Sequence, residues 1–340
     1  MEKKRIKIGY TDFVNNIFKR NIESLLLREY DIEYSESPDF LFYSVYGTGR
    51  DHYRYKNCVK IFYSSEGVIP DFNECDYAIG CYPMQMENRY LTVPYIAPTK
   101  DILSRNITYD MVSQRKFCNF IFSNEDNGDG AILRKEFCKE LMQYKHVDCP
   151  GHVLNNMQNA IEPRSGNWAS GKLRFIRDYK FTIAFENVRF PGMVSEKILQ
   201  PFLANSIPIY WGDTQVTKMY NSKAFINCND CSSIKEMVEK VIRIDQDDDA
   251  YFSMLSESPI SKSYNFEWKE QEMDFLRNII ERGNNEFKKD PLNWDSGIKA
   301  AYELNCIQNL FFYKCYKKKE VIKDKVKKEI NKSVKKFYKE

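Results

Sequence analysis

Residues 179–212 read YKFTIAFENVRFPGMVSEKILQPFLANSIPIYWG, and this order of apolar and charged segments decides the fold. YKFTIAF and IPIYWG are short apolar runs rich in β-branched and aromatic residues, which is typical of buried strands. Between them, SEKILQPFLAN has apolar residues at helical spacing. The segment therefore predicts a strand, a charged loop, a helix and a second strand, which together form a βαβ unit.

The same alternation of strand-like and helix-like runs extends along the chain. In the first hundred residues the predicted elements are RIKIGY, NIESLLLREY, DFLFYSVYG, VKIFYSS and CDYAIGC, of which the second is helical. A second series starts near Lys116 with the strand KFCNFIFSN and the helix AILRKEFCKELMQY, and it ends with the strand AFINC and the helix SSIKEMVEKVIRI. Two such series predict an α/β fold with two Rossmann-like domains that face each other across a cleft.

The connection between the two predicted domains lies near residues 102–114. We expect an N-terminal domain at residues 1–110, a C-terminal domain at residues 111–310 and a basic helical tail at residues 311–340. Ligands of such folds bind at the carboxyl ends of the strands, so the cleft is the place where we expect a functional site.

The composition is that of a folded globular protein, with 43% hydrophobic and 15% aromatic residues among 340. The net charge of +3 does not favour a nucleic-acid ligand. The N-terminus, MEKKRIKIGY, lacks the apolar core of a signal peptide, and no run approaches the roughly 18 apolar residues of a transmembrane helix. We therefore expect a cytoplasmic protein.

The ten cysteines are scattered along the chain, and Cys228 and Cys231 form the one CxxC pair. A zinc site needs further cysteine or histidine ligands, and the three histidines lie elsewhere in the sequence. Reduced thiols are therefore favoured over a structural zinc site.

The loop between the two quoted strands is either a solvated connection or the edge of a site for a charged substrate. It follows a strand and precedes a helix, where free backbone amides and the helix dipole favour phosphate binding. Lys197 adds a positive charge in the first helical turn, and Glu196 can accept hydrogen bonds from sugar hydroxyls. A structural role is the alternative, since Ser195 is a favourable N-cap and Glu196 suits the helix dipole. The chain contains neither a GxGxxG pattern nor a P-loop.

Residues 185–212, FENVRFPGMVSEKILQPFLANSIPIYWG, closely resemble the signature of the α1,3-fucosyltransferases of glycosyltransferase family 10. In that signature a Phe-Glu-Asn run is followed, after a short variable stretch, by Val-Thr-Glu-Lys, a helix and an Ile-Pro-Ile/Val strand. The resemblance is nearest to bacterial members of the family. It extends to residues 61–81 (IFYSSEGVIPDFNECDYAIGC), 88–94 (NRYLTVP) and 117–137 (FCNFIFSNEDNGDGAILRKEF).

This resemblance implies a transferase that moves fucose from GDP-fucose to a hydroxyl of a glycan acceptor, with inversion. It also implies the GT-B arrangement, with the N-terminal domain on the acceptor side, and no obligatory metal or other cofactor. The implied acceptor atom is O3 of N-acetylglucosamine in an N-acetyllactosamine-like or surface-polysaccharide chain. An inverting displacement needs a carboxylate base for the attacking hydroxyl and cationic groups that stabilise the leaving diphosphate.

The site residues implied by the resemblance are assigned position by position. Glu66, in SSEG, matches a carboxylate after an N-domain strand and is the candidate general base. Arg134 matches the arginine that binds the diphosphate, and Lys197 matches the second cation. Asn187 and Glu196 match residues that hold the nucleotide and sugar hydroxyls, and Glu196 is also placed to stabilise positive charge at the anomeric carbon. The alternative for Glu66, Arg134 and Lys197 is an ordinary surface position.

Two positions depart from the family pattern. Met193 stands where the family usually has a tyrosine, and a thioether can pack against a base or ribose but cannot donate a hydrogen bond. Residues 64–67 read SSEG where TGEN is commoner, so an expected hydrogen-bonding asparagine beside Glu66 is missing. These departures leave open a family member with another nucleotide-sugar donor, and a glycan-binding protein without turnover.

Residues 245–249, DQDDD, resemble the DxD motif with which metal-dependent glycosyltransferases hold Mn²⁺ or Mg²⁺. The segment follows one helical run and precedes AYFSML. A helix cap or a solvated acidic turn is therefore the favoured interpretation.

The end of the chain is rich in lysine. Residues 314–340 contain twelve lysines and four acidic residues, a net charge of +8, which leaves −5 for the rest of the chain. An apolar residue recurs at every fourth position: Ile322, Val326, Ile330, Val334 and Tyr338. This spacing predicts a basic amphipathic helix that binds an anionic membrane peripherally. The resemblance to bacterial family members implies the inner face of the membrane, where lipid-linked glycans are the substrates. A solvated terminal helix or a coiled-coil contact is the alternative.

Overall fold

A computed structural model of the chain describes most of its first 283 residues and a few positions beyond them. The described residues are 3–13, 16–46, 51–64, 66–103, 107–108, 113–126, 128–157 and 168–283, together with Cys315, Lys318, Lys319, Ile322 and Val326. Within this part of the chain, no helix is both long and apolar enough to cross a bilayer.

The first sheet contains six strands. They are β1 (Lys4–Thr11), β2 (Tyr30–Tyr34), β3 (Phe40–Tyr43), β4 (Val59–Ser64), β5 (Tyr77–Gly80) and β6 (Tyr90–Thr92). Their order in the sheet is β2-β1-β3-β4-β5-β6. Strand β1 pairs in parallel with β2 and β3, and β3 pairs in parallel with β4. The helix α1 (Asn16–Leu26) connects β1 to β2.

Burial explains the sequence pattern of this first sheet. Strands β3, β4 and β5 are buried along their whole length. They appear in the sequence as near-continuous apolar runs because the side chains on both faces of a covered parallel sheet are buried. No position of such a strand then faces solvent. The edge strand β2 shows the contrast, since Tyr30 is its one buried residue.

The second sheet contains five strands. They are β7 (Lys116–Asn119), β8 (Val147–Asp148), β9 (Tyr179–Phe185), β10 (Ile207–Trp211) and β11 (Ile226–Asn227). Their order is β11-β10-β9-β7-β8, and the pairs are parallel. The chain moves from β7 outward to β8 and then returns to β9 on the other side of β7. This reversal is a topological switch point, where α/β proteins bind ligands beyond the carboxyl ends of the strands.

The helices that accompany this sheet pack on both of its faces. They are α2 (Asp129–Met142), α3 (Trp168–Ile176), α4 (Glu196–Leu203), α5 (Ile234–Asp245) and α6 (Asp248–Ser256), and a further helix, α7 (Trp268–Arg282), follows them in the chain. Alternate residues of β9 point to opposite faces. Phe181, Ile183 and Phe185 join the apolar core that includes Phe137 of α2, whereas Ala184 joins the core that includes residues of α4. Strand β9 is therefore central to both layers.

The chain divides into two compact units. One contains Met1–Phe62, Asp71–Ala78 and Ile279–Glu340, and the other contains Tyr63–Pro70 and Ile79–Asn278. The segment that carries Glu66 thus belongs to the unit of the second sheet, although it follows a strand of the first sheet. The α/β class with parallel sheets is confirmed. The facing arrangement, the cleft and the boundaries at residues 110 and 310 stay predictions.

Most of the predicted tail helix lies outside the described residues. Of the five positions that are described, each is helical and exposed. Ile322 and Val326 belong to the predicted apolar stripe, whereas Ile330, Val334 and Tyr338 fall outside the described residues. The complete stripe therefore stays a prediction.

A buried carboxyl group lies in α7. Glu272 is 2% exposed, accepts a hydrogen bond from the Tyr63 hydroxyl and leaves Oε1 without a hydrogen-bond partner. Burial raises the pKa of Glu272 to about 7, because the carboxylate loses its hydration. The folded protein therefore keeps a proton on Glu272 over a pH range in which the unfolded chain has released it.

We expect the contribution of Glu272 to the free energy of unfolding to fall as the pH rises from 4.5 to about 7. The shift corresponds to a loss of about 3 kcal/mol across this window. Glu272→Gln stays neutral and should lose this part of the pH dependence, whereas Glu281→Gln, which is exposed in the same helix, should keep it. Urea unfolding at several pH values measures the difference. Identical pH profiles for the wild type and Glu272→Gln would refute the assignment.

Candidate functional site

Two loops and two helix N-termini lie at the switch point of the second sheet. The loop after β7 leads into α2 at Asp129, and the loop after β9 leads into α4 at Glu196. The carboxyl ends of parallel strands lie at one edge of the sheet, so both helices begin where such folds bind ligands. The predicted residues Arg134, Asn187 and Lys197 belong to these same segments.

Arg134, in α2, is almost completely buried, with 1% of its surface exposed. Its Nη1 donates to Asn187 Oδ1 at 2.6 Å and to Phe185 O at 3.5 Å, and its Nη2 donates to Asn124 O at 2.8 Å. The guanidinium also lies 4.0 Å from the centre of the Phe122 ring. These acceptors are uncharged, and Nε has no hydrogen-bond partner among the residues that the structure describes. Burial lowers the pKa of Arg134 to about 10, and an approaching anion would offset that cost.

Two glycines allow the start of α2 to lie against the loop after β9. At Gly128, where φ is +98°, a Cβ atom would lie 2.4 Å from Asn187 O, and at Gly130 it would lie 2.2 Å from Glu186 O. Gly130 also donates its N–H to Asn187 O at 2.9 Å. A larger residue would move α2, and Arg134 with it, away from the loop. Sequence reasoning misses this pair because it searches for the full GxGxxG pattern. The pattern present here is a shorter GxG between a strand and a helix.

Glu186 is a fully buried carboxylate directly after β9. The N–H and the hydroxyl of Ser195 donate to its two oxygens, both at 2.8 Å, and Lys197 Nζ donates to Oε2 at 2.9 Å. Its own N–H donates to Trp211 O at 2.8 Å, at the end of β10. Glu186 thus links the ends of two strands through its backbone and the start of α4 through its buried carboxylate. Sequence reasoning does not identify this role of Glu186.

The first turn of α4 contains three of the polar residues considered from the sequence. Ser195 is the N-cap, as predicted, and its Oγ accepts the N–H of Lys197 at 3.3 Å. The ammonium of Lys197 pairs with the Glu186 carboxylate inside the protein. Glu196 is half-buried, and no hydrogen bond to its side chain is found among the described residues. Its carboxylate is therefore available to an external partner.

The candidate base and Met193 lie on loops that contact each other. A Cβ atom on Gly67, next to Glu66, would lie 3.0 Å from the Phe190 ring and 3.3 Å from Met193 Sδ. Met193 is 8% exposed, so most of its side chain is used in internal packing. Its predicted contact with a base or ribose stays a prediction. The packing brings the Glu66 loop to the loop that leads into α4.

Backbone contacts hold Glu66, which is half-buried, just beyond β4. Its N–H donates to Ser64 Oγ at 3.0 Å, and the Cys81 thiol donates to Glu66 O at 3.8 Å. Burial and the nearby Glu66 carboxylate raise the pKa of the Cys81 thiol to about 11. Cys81 is therefore a neutral neighbour of the candidate base at physiological pH.

Gly192 and Asp213 fix the middle of the loop after β9. Gly192 has a φ of +81°, and a Cβ atom there would lie 1.8 Å from Cys81 O. Its N–H donates at 3.0 Å to Oδ2 of Asp213, which is 3% exposed in the turn after β10. Sequence reasoning does not identify Asp213. The turn after β10 therefore positions the loop that carries Met193.

The acidic segment DQDDD has a structural role. Asp247 is the N-cap of α6 and accepts the N–H of Ala250 at 2.9 Å, which confirms the capping prediction for this residue. Asp245 is 6% exposed and forms ion pairs with Lys145 and Lys180. Among the described residues, no group of three His, Cys, Asp or Glu side chains is arranged to hold a metal ion.

Two family models match the chain in succession. Residues 8–98 match the Alpha-(1,3)-fucosyltransferase FucT N-terminal domain, and residues 111–278 match the Glycosyltransferase family 10 (fucosyltransferase) C-term. The chain belongs to glycosyltransferase family 10. The second match contains Arg134, Asn187, Glu196 and the other residues of the switch point. The predicted family is confirmed.

This family 10 chain is 28% identical over 287 residues to Alpha-(1,3)-fucosyltransferase FucT of Helicobacter pylori, an alignment that covers 72% of the chain and 57% of that relative. It is 33% identical over 122 residues to GDP-fucose protein O-fucosyltransferase 3 of Homo sapiens, covering 35% and 25% of the two proteins. The chain thus spans less than two thirds of the length of either relative.

A crystal structure of an α1,3-fucosyltransferase has a similar fold, with a TM-score of 0.66 and 25% identity. The superposition covers 82% of this chain and 91% of that one. The similarity supports an α/β fold with parallel sheets, as in that structure.

We expect Gly192→Ala to lower the free energy of unfolding by about 3 kcal/mol or more, because the new Cβ atom would overlap the Cys81 carbonyl. Gly283→Ala is the matched control. Gly283 also has a positive φ, +61°, but nothing lies within 4 Å, so backbone strain of about 1 kcal/mol remains. Urea unfolding of both variants measures the difference. Equal losses would mean that backbone strain alone sets the requirement for glycine at position 192.

Proposed function

We propose that this protein transfers fucose from GDP-fucose to an acceptor hydroxyl, with inversion at the anomeric carbon. The proposal rests on the buried, incompletely paired guanidinium of Arg134 at a switch point where two helices begin. Such an electropositive position suits the diphosphate of a nucleotide sugar. Support for GDP-fucose as the donor comes from the human relative, whose name specifies it.

In this proposal, protein cations stabilise the leaving GDP. Arg134 offers an unpaired Nε and a planar guanidinium to phosphate oxygens. Lys197 lies in the first turn of α4, where its ammonium would be shared between Glu186 and the diphosphate. Charges that are fixed before the reaction lower the energy of negative charge as it develops on the leaving group. We therefore propose a reaction that needs no metal ion.

Glu66 is the proposed general base. Its carboxylate takes the proton of the acceptor hydroxyl while the new C–O bond forms and the bond from the anomeric carbon to the diphosphate breaks. Glu196 is proposed to bind the sugar hydroxyls and to stabilise the oxocarbenium-like centre, a role supported by its half-buried carboxylate. Asn187, which accepts a hydrogen bond from Arg134, is proposed to hold the nucleotide.

The acceptor is proposed to be a glycan, with O3 of N-acetylglucosamine in an N-acetyllactosamine-like chain or in a lipopolysaccharide as the attacking hydroxyl. Support comes from the α1,3 specificity in the names of the Helicobacter pylori relative and the similar crystal structure. A protein hydroxyl is the second candidate, because the human relative is named as a protein O-fucosyltransferase. Labelled GDP-fucose, offered with N-acetyllactosamine and with serine- and threonine-containing peptides, separates the two acceptor classes.

We expect two substitutions to separate binding from catalysis. Arg134→Ala should weaken GDP binding roughly 10- to 100-fold, the range of a lost hydrogen bond to a charged group. Glu66→Gln should reduce kcat roughly 100- to 10,000-fold, the range of a lost general base, with little change in GDP affinity. Calorimetry with GDP, UDP and ADP in EDTA measures binding, and transfer of labelled fucose measures turnover.

Glu239→Gln, an exposed position in α5, serves as the control for Glu66→Gln and should change neither quantity. Arg134→Lys keeps the positive charge and tests whether a loss of affinity reflects misfolding. Normal turnover by Glu66→Gln would remove Glu66 from the mechanism. Preferential binding of UDP or ADP would overturn the proposed donor, and Met193 would then be the first residue to substitute.

We propose that the basic tail binds anionic membranes peripherally, which would place the enzyme at the inner face of the cytoplasmic membrane beside lipid-linked glycans. Support comes from Ile322 and Val326, which are helical, four residues apart and 57% and 51% exposed. Residues at this spacing lie on one face of a helix. The lysines at positions 318 and 319 would meet lipid phosphates.

We expect Ile322→Asp/Val326→Asp to abolish cosedimentation with phosphatidylglycerol vesicles, because both changes put charge on the apolar face. Leu27→Asp is the control, since Leu27 is 52% exposed and lies outside the tail. Binding of the wild type should weaken with salt and be absent with phosphatidylcholine vesicles. Equal binding of both vesicle types, or of the double variant, would contradict the proposal.

A further inference from the structure

A tight turn brings the two thiols of the CxxC segment together. It follows β11 and precedes α5, and the Cys231 N–H donates to Cys228 O at 3.3 Å. A turn closed in this way places the first and fourth Cα atoms within about 7 Å, the range that a disulfide can bridge. The two thiols also act on each other electrostatically, since each shifts the pKa of the other, in opposite directions. Cys228 is fully buried, whereas Cys231 is partly exposed.

The surroundings of Cys231 favour a reactive thiolate. The hydrogen bond from Cys228, together with the nearby Lys240 ammonium, lowers the pKa of the Cys231 thiol to about 6. Cys231 also lies just before the N-terminus of α5, where the helix dipole favours a negative charge. At neutral pH this sulfur is therefore largely the nucleophilic form.

The residue after Cys228 connects the turn to the switch-point loops. Asn229 Oδ1 accepts the N–H of Gly212 at 3.0 Å, and Asn229 Nδ2 donates to Asp213 O at 3.1 Å. Asp213 in turn accepts the N–H of Gly192 through its carboxylate. Three hydrogen bonds therefore lead from the CxxC turn to the loop that carries Met193 and precedes α4.

We propose that Cys228 and Cys231 form a reversible disulfide that switches the donor site between two states. Hydrogen peroxide is the oxidant. The Cys231 thiolate attacks one peroxide oxygen and breaks the O–O bond, and the departing hydroxide takes a proton from solvent, which gives a sulfenic acid and water. The Cys228 sulfur then attacks the sulfenic sulfur, and the disulfide forms with loss of a second water. Two thiols thus supply the two electrons that reduce the peroxide, and a dithiol reductant reverses the step.

Closing the disulfide shortens the distance between the two sulfurs and reshapes the turn that contains Asn229. The hydrogen bonds from Asn229 to the turn after β10 depend on that shape, so oxidation weakens the hold of Asp213 on Gly192. The effect on GDP affinity rests on the proposed function, whereas disulfide formation does not. The sulfurs of Cys138 and Cys149 also lie close together, 3.9 Å apart. Both residues are fully buried, so a dissolved oxidant does not reach them.

The test treats the purified full-length protein with hydrogen peroxide and then with dithiothreitol. Mass spectrometry of the peptide that contains residues 228–231 should show the loss of two hydrogens and its reversal. GDP affinity, measured by calorimetry, should fall by about 10-fold on oxidation and recover on reduction. Hydrogen exchange at the Gly192 and Gly212 amides should become faster in the oxidised protein, with or without nucleotide.

Cys231→Ser should abolish all three responses, and Cys315→Ser, at an exposed cysteine in the tail, should keep them. Absence of a disulfide between residues 228 and 231 would overturn the proposal. A disulfide that leaves both GDP affinity and amide exchange unchanged would also overturn it. If the reduced protein bound no GDP, the proposed donor would fail, and the mass and exchange measurements would still decide the switch.

Discussion

The buried carboxylate of Glu186 is the interaction on which the second sheet's functional edge depends. A carboxylate without solvent is costly unless donors surround it, and removal of one partner from a buried ion pair typically costs about 3–5 kcal/mol. Ser195 and Lys197 provide those donors from the start of α4. The first residue of the loop after β9 is therefore bound to its last residues. A shift of α4 would remove the donors of the Glu186 carboxylate and leave a buried charge without compensation.

Arg134 and Glu186 lie at the same edge of the second sheet, but the partners of their charged groups differ. The acidic group accepts a hydrogen bond from the Lys197 ammonium, whereas the basic group donates to uncharged oxygens, lies against the Phe122 ring and interacts with Glu186 only through space. The close approach of Gly128 and Gly130 to the backbone after β9 makes this possible, since it places α2 directly against the loop. The arrangement leaves the Nε of Arg134 without a hydrogen-bond partner among the described residues, beside a loop that Glu186 holds through its hydrogen bonds.

Hydrophobic periodicity predicts the longer buried elements, such as β9, β10 and α5. In these elements the pattern of apolar residues extends over enough positions to be recognised in the sequence. Periodicity misses β6 and β8, whose three and two residues are too short to show a period, and it also misses the edge strand β2 and the helix α3. Interactions between residues that are neighbours in the sequence are also predictable, and the helix N-cap at Ser195 is an example. The roles of Glu186, Asp213 and Met193 depend on partners distant in sequence, which no local pattern contains. The resemblance to the family identified Arg134 without explaining why its charge is unpaired.

The guanidinium of Arg134, whose Nε lacks a hydrogen-bond partner among the described residues, would also link folding to the supply of an anionic ligand. A buried cation whose counter-charge is external lowers the stability of the free protein and returns that stability when an anion binds. Under the proposed function, the nucleotide would complete the interior of the protein in addition to serving as its substrate. In a cell, the lifetime of such a protein would follow the concentration of the anion, because the free form is more exposed to proteolysis than the bound form.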